Sequence, residues 1–83
     1  MISVRLSELQ KGQSAVVGQV EDAHPDDAVA RRLRELGFVA GEPVRVVATG
    51  PVGRDPILVQ IGFTRFALRR PEAARVVIDG ASA

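Results

Sequence analysis

Residues 34–46 read RELGFVAGEPVRV, and the fold turns on how that stretch is divided. Two glycines, Gly37 and Gly41, stand four apart between a charged segment and a run of valines. Glycine enters left-handed backbone without a side-chain penalty. Gly37 therefore predicts the end of a helix, with Phe38 folding back onto its last turn. Gly41 followed by Glu42–Pro43 predicts a tight turn into a strand, because proline cannot continue a helix. The stretch reads as architecture more than as a site.

Working backwards, EDAHPDDAVARRLRELG supplies the helix, near residues 26–36. Pro25 stands at its entrance, and Asp26 or Asp27 is placed to cap the free amides there. Val29, Leu33 and Leu36 fall at i, i+4 and i+7 and make one apolar stripe. Acidic residues lead and arginines trail, as the helix dipole favours.

Working outwards, SAVVGQV (14–20) alternates as a strand, and VRVVAT (44–49) follows Pro43 as another. ILVQI (57–61) puts Ile57, Val59 and Ile61 on one face. RFALR (65–69) returns with Phe66 and Leu68 inward, and VVI (76–78) closes. An extended piece, a short turn at Ser7–Leu9 and a Lys11–Gly12 turn precede the first of these strands. GPVGRDP (50–56) reads as a loop, GFT as a hairpin turn and RPEAAR as a single short turn. The expected fold class is mainly β: about five short strands with one helix inserted after the first, in one domain over residues 1–83. A small closed barrel suits this order, since closure removes sheet edges.

Composition bounds the rest. A chain of 83 residues, 46% hydrophobic and 25% charged, fits one small globular domain. Such a domain buries only about 60% of its unfolded surface. With no cysteine, a disulfide scaffold, a thiolate zinc site and an iron–sulfur cluster are excluded. MISVRLSELQKGQ has no apolar leader core, and no stretch approaches the ~18 apolar residues of a membrane span. The expectation is a soluble cytosolic protein. Formal net charge is +1, with two basic against five acidic residues in 1–30 and nine against five in 31–83.

The search for chemistry excludes more than it finds. Lys11 is followed by Gly12–Gln13, so no phosphate loop forms, and Gly50 and Gly53 belong to a turn-rich loop without a following helix. His24 is the single histidine, with no serine nearby to pair with it, and no enzymatic activity is expected. Glu21, Asp22, His24, Asp26 and Asp27 offer carboxylates and one imidazole within seven residues, a candidate for a weak divalent ion on the surface. No cofactor is required by this reading. RFALRR alternates arginine with apolar residues, but three Phe and no Trp or Tyr make a poor stacking surface for nucleic acid.

RRLRELGFVAGEPVRVV, DPILVQIG and FALRRPEAARVVI, taken in order, resemble the FeoA family, accessory proteins of bacterial ferrous iron transport. The family segment R-L-x-x-L-G-[FIL]-x-x-G corresponds here to Arg32 through Gly41. D-P-[IL] falls on Asp55-Pro56-Ile57, and A-L-R-x-x-E-A on Ala67 through Ala73. Ala40 departs from the family's usual proline, and Pro71 is also less usual. The resemblance implies an SH3-like barrel with a helical insertion, acting beside a membrane GTPase-permease of the FeoB type. It implies a cytoplasmic place, peripheral to the inner membrane through that partner and without insertion of its own. Partner-binding candidates are the helix face with Arg31 and Arg34, then Arg54 and Asp55, then Arg69 and Arg70. The alternatives are a small-barrel nucleic-acid module and a metal-responsive domain like the terminal barrel of iron-dependent repressors. A weak or metal-bridged homodimer is the other assembly to consider.

Overall fold

Valine-rich segments pair here edge to edge, those over residues 14–68 with neighbours in sequence, and the result is one antiparallel six-stranded sheet. The computed structural model describes residues 4–82, with side chains to residue 79; residues 1–3 and 83 of the expected domain lie outside the described residues. The strands are β1 (Val4–Arg5), β2 (Ser14–Val20), β3 (Pro43–Val52), β4 (Asp55–Ile61), β5 (Thr64–Leu68) and β6 (Val76–Ser82). A 3₁₀ turn, Leu6–Glu8, follows β1. Helix α1 (Ala28–Leu36) links β2 to β3, and the four-residue α2 (Arg70–Ala73) links β5 to β6.

The strand order is β1-β6-β2-β3-β4-β5. The chain winds as a meander from β2 to β5, then returns through α2 so that β6 lies between β1 and β2. Register irregularities between Val17 and Gln19 in β2, and between Val46 and Ala48 in β3, bend the sheet around its core. Leu6, Val17, Leu33, Phe38, Val44, Val46, Ile57, Val59 and Val76 are buried there. Phe38 is fully enclosed, and its ring lies 5.8 Å from that of Phe66 at a tilt of 54°.

The junction at 34–46 forms as its residues dictate. Gly37 takes φ 114°, its amide donates to Arg34 O at 3.2 Å, and the Phe38 amide donates to Leu33 O at 3.1 Å. Both bonds satisfy carbonyls the helix would otherwise leave open. The β2–β3 connection closes when the Gly41 amide donates to Val17 O.

Three expectations change. There are six strands, because the extended piece near the N-terminus pairs as β1 with β6. GPVGRDP is not a loop: β3 runs through Val52 and β4 begins at Asp55, leaving Gly53–Arg54 as a two-residue hairpin with φ of 60° and 57°. Asp55–Pro56 is cis. Both turn residues have positive φ, which suits the natural twist of a hairpin and hides it from a propensity reading. Lastly, among the described residues the hydrogen-bonded ladder does not run round the whole barrel. Its margins are β1 and β5, and α2 packs between the 3₁₀ turn and β4 on that side.

Candidate functional site

Among the five residues of the acidic cluster, Asp27 is set apart by its burial. It is 2% exposed, and its carboxylate accepts the amides of Val29 at 3.0 Å, Ala30 at 3.3 Å and Ala23 at 2.8 Å. Arg75 Nε donates to it at 2.6 Å from the far end of the chain. One side chain thus caps α1, ties down the segment before it and anchors Arg75, just before β6. The Arg75 hydrogen bond, followed by the Ala23 amide, holds this carboxyl well below the usual carboxylate range, against an opposing push from burial. Of the two aspartates that the sequence nominates as cap, Asp27 is the one used.

The other acids are also committed. Glu21 pairs with Arg5 at 2.7 Å, Asp22 with Arg34 at 2.9 Å and Asp26 with Arg31. His24 Nε2 lies 3.8 Å from Asp27, and its Nδ1 lies 3.1 Å from Pro25 O. Among the described residues no three His, Asp or Glu side chains converge to hold a metal ion. The cluster is a set of clamps to arginine.

The arginine candidates divide. Arg34 also donates to Val20 O at 2.7 Å, and Arg31 pairs with Asp26, so both already have partners within the chain. Asp55 accepts the Arg70 amide at 3.1 Å, and Arg70 Nη1 donates to Gly53 O at 3.0 Å, which together tie the β3–β4 hairpin to α2. Arg69 is exposed, Arg54 is half-buried, and neither forms an ion pair among the described residues. The structure therefore does not gather these six into one patch of free charge.

What it does gather was not read from the sequence. Val29, Leu33 and Leu36 of α1 face Phe66 and Leu68 of β5 across a groove of about 170 Å³, with Arg32 and Glu72 on its rim. Small-molecule pockets run from about 300 Å³ upwards, whereas an engineered cavity of about 150 Å³ holds benzene. The groove fits one apolar side chain. The half-burial of Val29, Leu36 and Phe66, each read as inward by periodicity, is the trace it leaves. A second, more open groove of about 320 Å³ crosses the outer sheet face at Ser14, Arg45 and Gln60. Phe63, at the β4–β5 turn, is fully exposed, while Phe38 is enclosed and Phe66 rests on it. Nucleic acid is thus offered one free ring among the described residues. No helix among them is long and apolar enough to cross a membrane.

With this geometry in hand, comparison with known proteins is specific. The model of the FeoA domain matches residues 4–79. A fusion protein of Porphyromonas gingivalis, joining Fe(2+) transport protein A to the Fe(2+) transporter FeoB, is 37% identical over 76 residues. That match covers 92% of this chain but 8% of the fusion. The crystal structure of zinc-complexed FeoA from Stenotrophomonas maltophilia, described as an SH3 domain protein and candidate ferrous iron transport activating factor, is 67% identical with a TM-score of 0.86. The match covers 92% of this chain and 89% of that one. FeoA from Chlorobium tepidum, solved in solution, is 40% identical with a TM-score of 0.76, covering 90% and 68%. Sequence, sheet order and the glycine-ended helix lead to one assignment: the chain belongs to the FeoA family.

Proposed function

We propose that this chain is a non-enzymatic accessory of ferrous iron transport that docks from the cytoplasm on a FeoB-type GTPase-permease and modulates uptake. The observation that carries this reading is the Porphyromonas gingivalis relative, in which a segment like this one is joined to the transporter in one polypeptide. A covalent tether raises the effective concentration of two partners to the millimolar range, which favours domains that meet anyway. The structure supports the same reading in a second way. Four acids of the cluster, Glu21, Asp22, Asp26 and Asp27, are clamped by arginines, and the α1–β5 groove is an apolar concavity with a charged rim, sized for a side chain.

Docking at the groove is tested by retention of the detergent-solubilised transporter on the tagged chain. Arg32 is exposed, lines the groove and forms no ion pair among the described residues, so Arg32→Glu is expected to weaken retention about tenfold. Arg31→Glu is expected to change it little, because that guanidinium already serves Asp26. Failure of the wild-type chain to retain the transporter rejects the proposal outright.

A further inference from the structure

Among the described residues β5 is a margin of the sheet, hydrogen-bonded to β4 and to no other strand. The β4–β5 hairpin turns on two residues, Gly62 and Phe63, between the paired Ile61 and Thr64. In a two-residue hairpin the pair flanking the turn exchanges hydrogen bonds, and bonding then alternates along the ladder. Thr64, Phe66 and Leu68 therefore bond to β4. The N–H and C=O groups of Arg65 and Ala67 point the other way, and neither amide bonds to another described element.

The side of β5 that carries these groups also borders the α1–β5 groove, which Phe66, Ala67 and Leu68 help to line. An unpaired strand margin beside a hole for one side chain is the arrangement used in strand addition. The main chain supplies the bonds, and an apolar side chain supplies specificity. The charge at the rim fixes the flanks. Arg32 stands on the groove, Arg65 and Arg69 flank its β5 lining in sequence, and none of the three has an ion-pair partner among the described residues. The acid on the rim, Glu72, already accepts the Arg69 amide at 2.7 Å.

Resting on the docking reading above, we propose that the partner segment is an extended strand that adds antiparallel or parallel to β5. It bonds to the main chain of Arg65 and Ala67, and places an apolar side chain in the groove between carboxylates that meet Arg32 and Arg69. The chain thereby recognises its transporter through a seventh strand, and not through a helix or a charged loop.

Ala67→Pro tests this directly. It removes an outward amide while sparing the β4–β5 ladder, and an edge strand tolerates proline at such a position. The variant is expected to melt within a few degrees of wild type and to bind the solubilised transporter at least tenfold more weakly. Should proline disturb the strand, hydrogen exchange on the unaltered chain decides: the outward amides of Arg65 and Ala67 are expected to exchange fast alone and slowly when the transporter is bound. Undiminished binding by the variant, or unchanged exchange of the Arg65 and Ala67 amides in a complex that forms, overturns strand addition while leaving docking intact. Slow exchange in the chain alone, rising with its concentration, assigns the margin to a second copy and likewise overturns it. Absence of any wild-type complex refutes the docking reading itself.

Discussion

Replacing Gly50 by alanine is the sharpest test of the hairpin that the sequence conceals. A Cβ at Gly50 would lie 2.3 Å from the Asp55 carbonyl oxygen and 2.6 Å from its carbon, about 1 Å inside ordinary contact. The obstacle is backbone, fixed on both sides by the pairs Thr49↔Ile57 and Val52↔Asp55, so no rotamer change relieves it. Gly50 does not occupy left-handed backbone, so the penalty comes from the close approach alone. Overpacking of this kind costs about 3 kcal/mol, the upper end of its usual range. For a domain of this size that lowers the melting temperature by roughly 12–24 °C. Gly18→Ala is the matched control in the same sheet: its nearest obstacle, at 2.9 Å, is the carboxylate end of the exposed Asp79 side chain, which swings away. That variant is expected within about 1 kcal/mol of wild type. Thermal unfolding followed by circular dichroism reads both. If Gly50→Ala melts as close to wild type as Gly18→Ala, the tight β3–β4 approach is refuted.

Phe38→Ala, at a fully buried site with an aromatic neighbour, is expected to cost about 3–5 kcal/mol. That is a large part of the total for a small domain, and it should appear as a urea midpoint shifted far towards zero. Arg31→Ala, removing an exposed pair with Asp26, should change stability by less than about 1 kcal/mol in the same titration. The carboxyl of Asp27 is depressed in the folded chain, so its contribution is present above the ordinary carboxylate pKa of about 4. It is lost as pH falls below that value. Urea midpoints at pH 7, 4 and 2.5 should therefore drop mainly over the last interval. In Asp27→Asn, which keeps a capping oxygen, that drop should shrink; an unchanged low-pH limb would count against the Arg75 clamp.

Local chemistry is what the sequence determined. The left-handed residue at Gly37, the aspartate at the start of α1, the apolar stripe of Val29, Leu33 and Leu36, and the alternation of Ile57, Val59 and Ile61 each follow from a few neighbouring residues. Leu33, Leu36, Gly37 and the 57–61 strand also carry the family resemblance, so fold class and kinship were legible together. The Gly53–Arg54 hairpin was not, because an arginine at φ 57° contradicts its own propensity and is imposed by the strands on either side.

Tertiary structure decided which charges are free. Arg75 reaches Asp27 across 48 positions and Arg34 reaches Asp22 across 12, and no spacing rule pairs them. It also decided where the surface is hollow. The groove joins α1 to β5, elements some thirty residues apart, and the amides of Arg65 and Ala67 are left outward because, among the described residues, β5 finds β4 and no other strand. Periodicity tells which face of an element is apolar; only the packed fold tells whether another element fully covers that face.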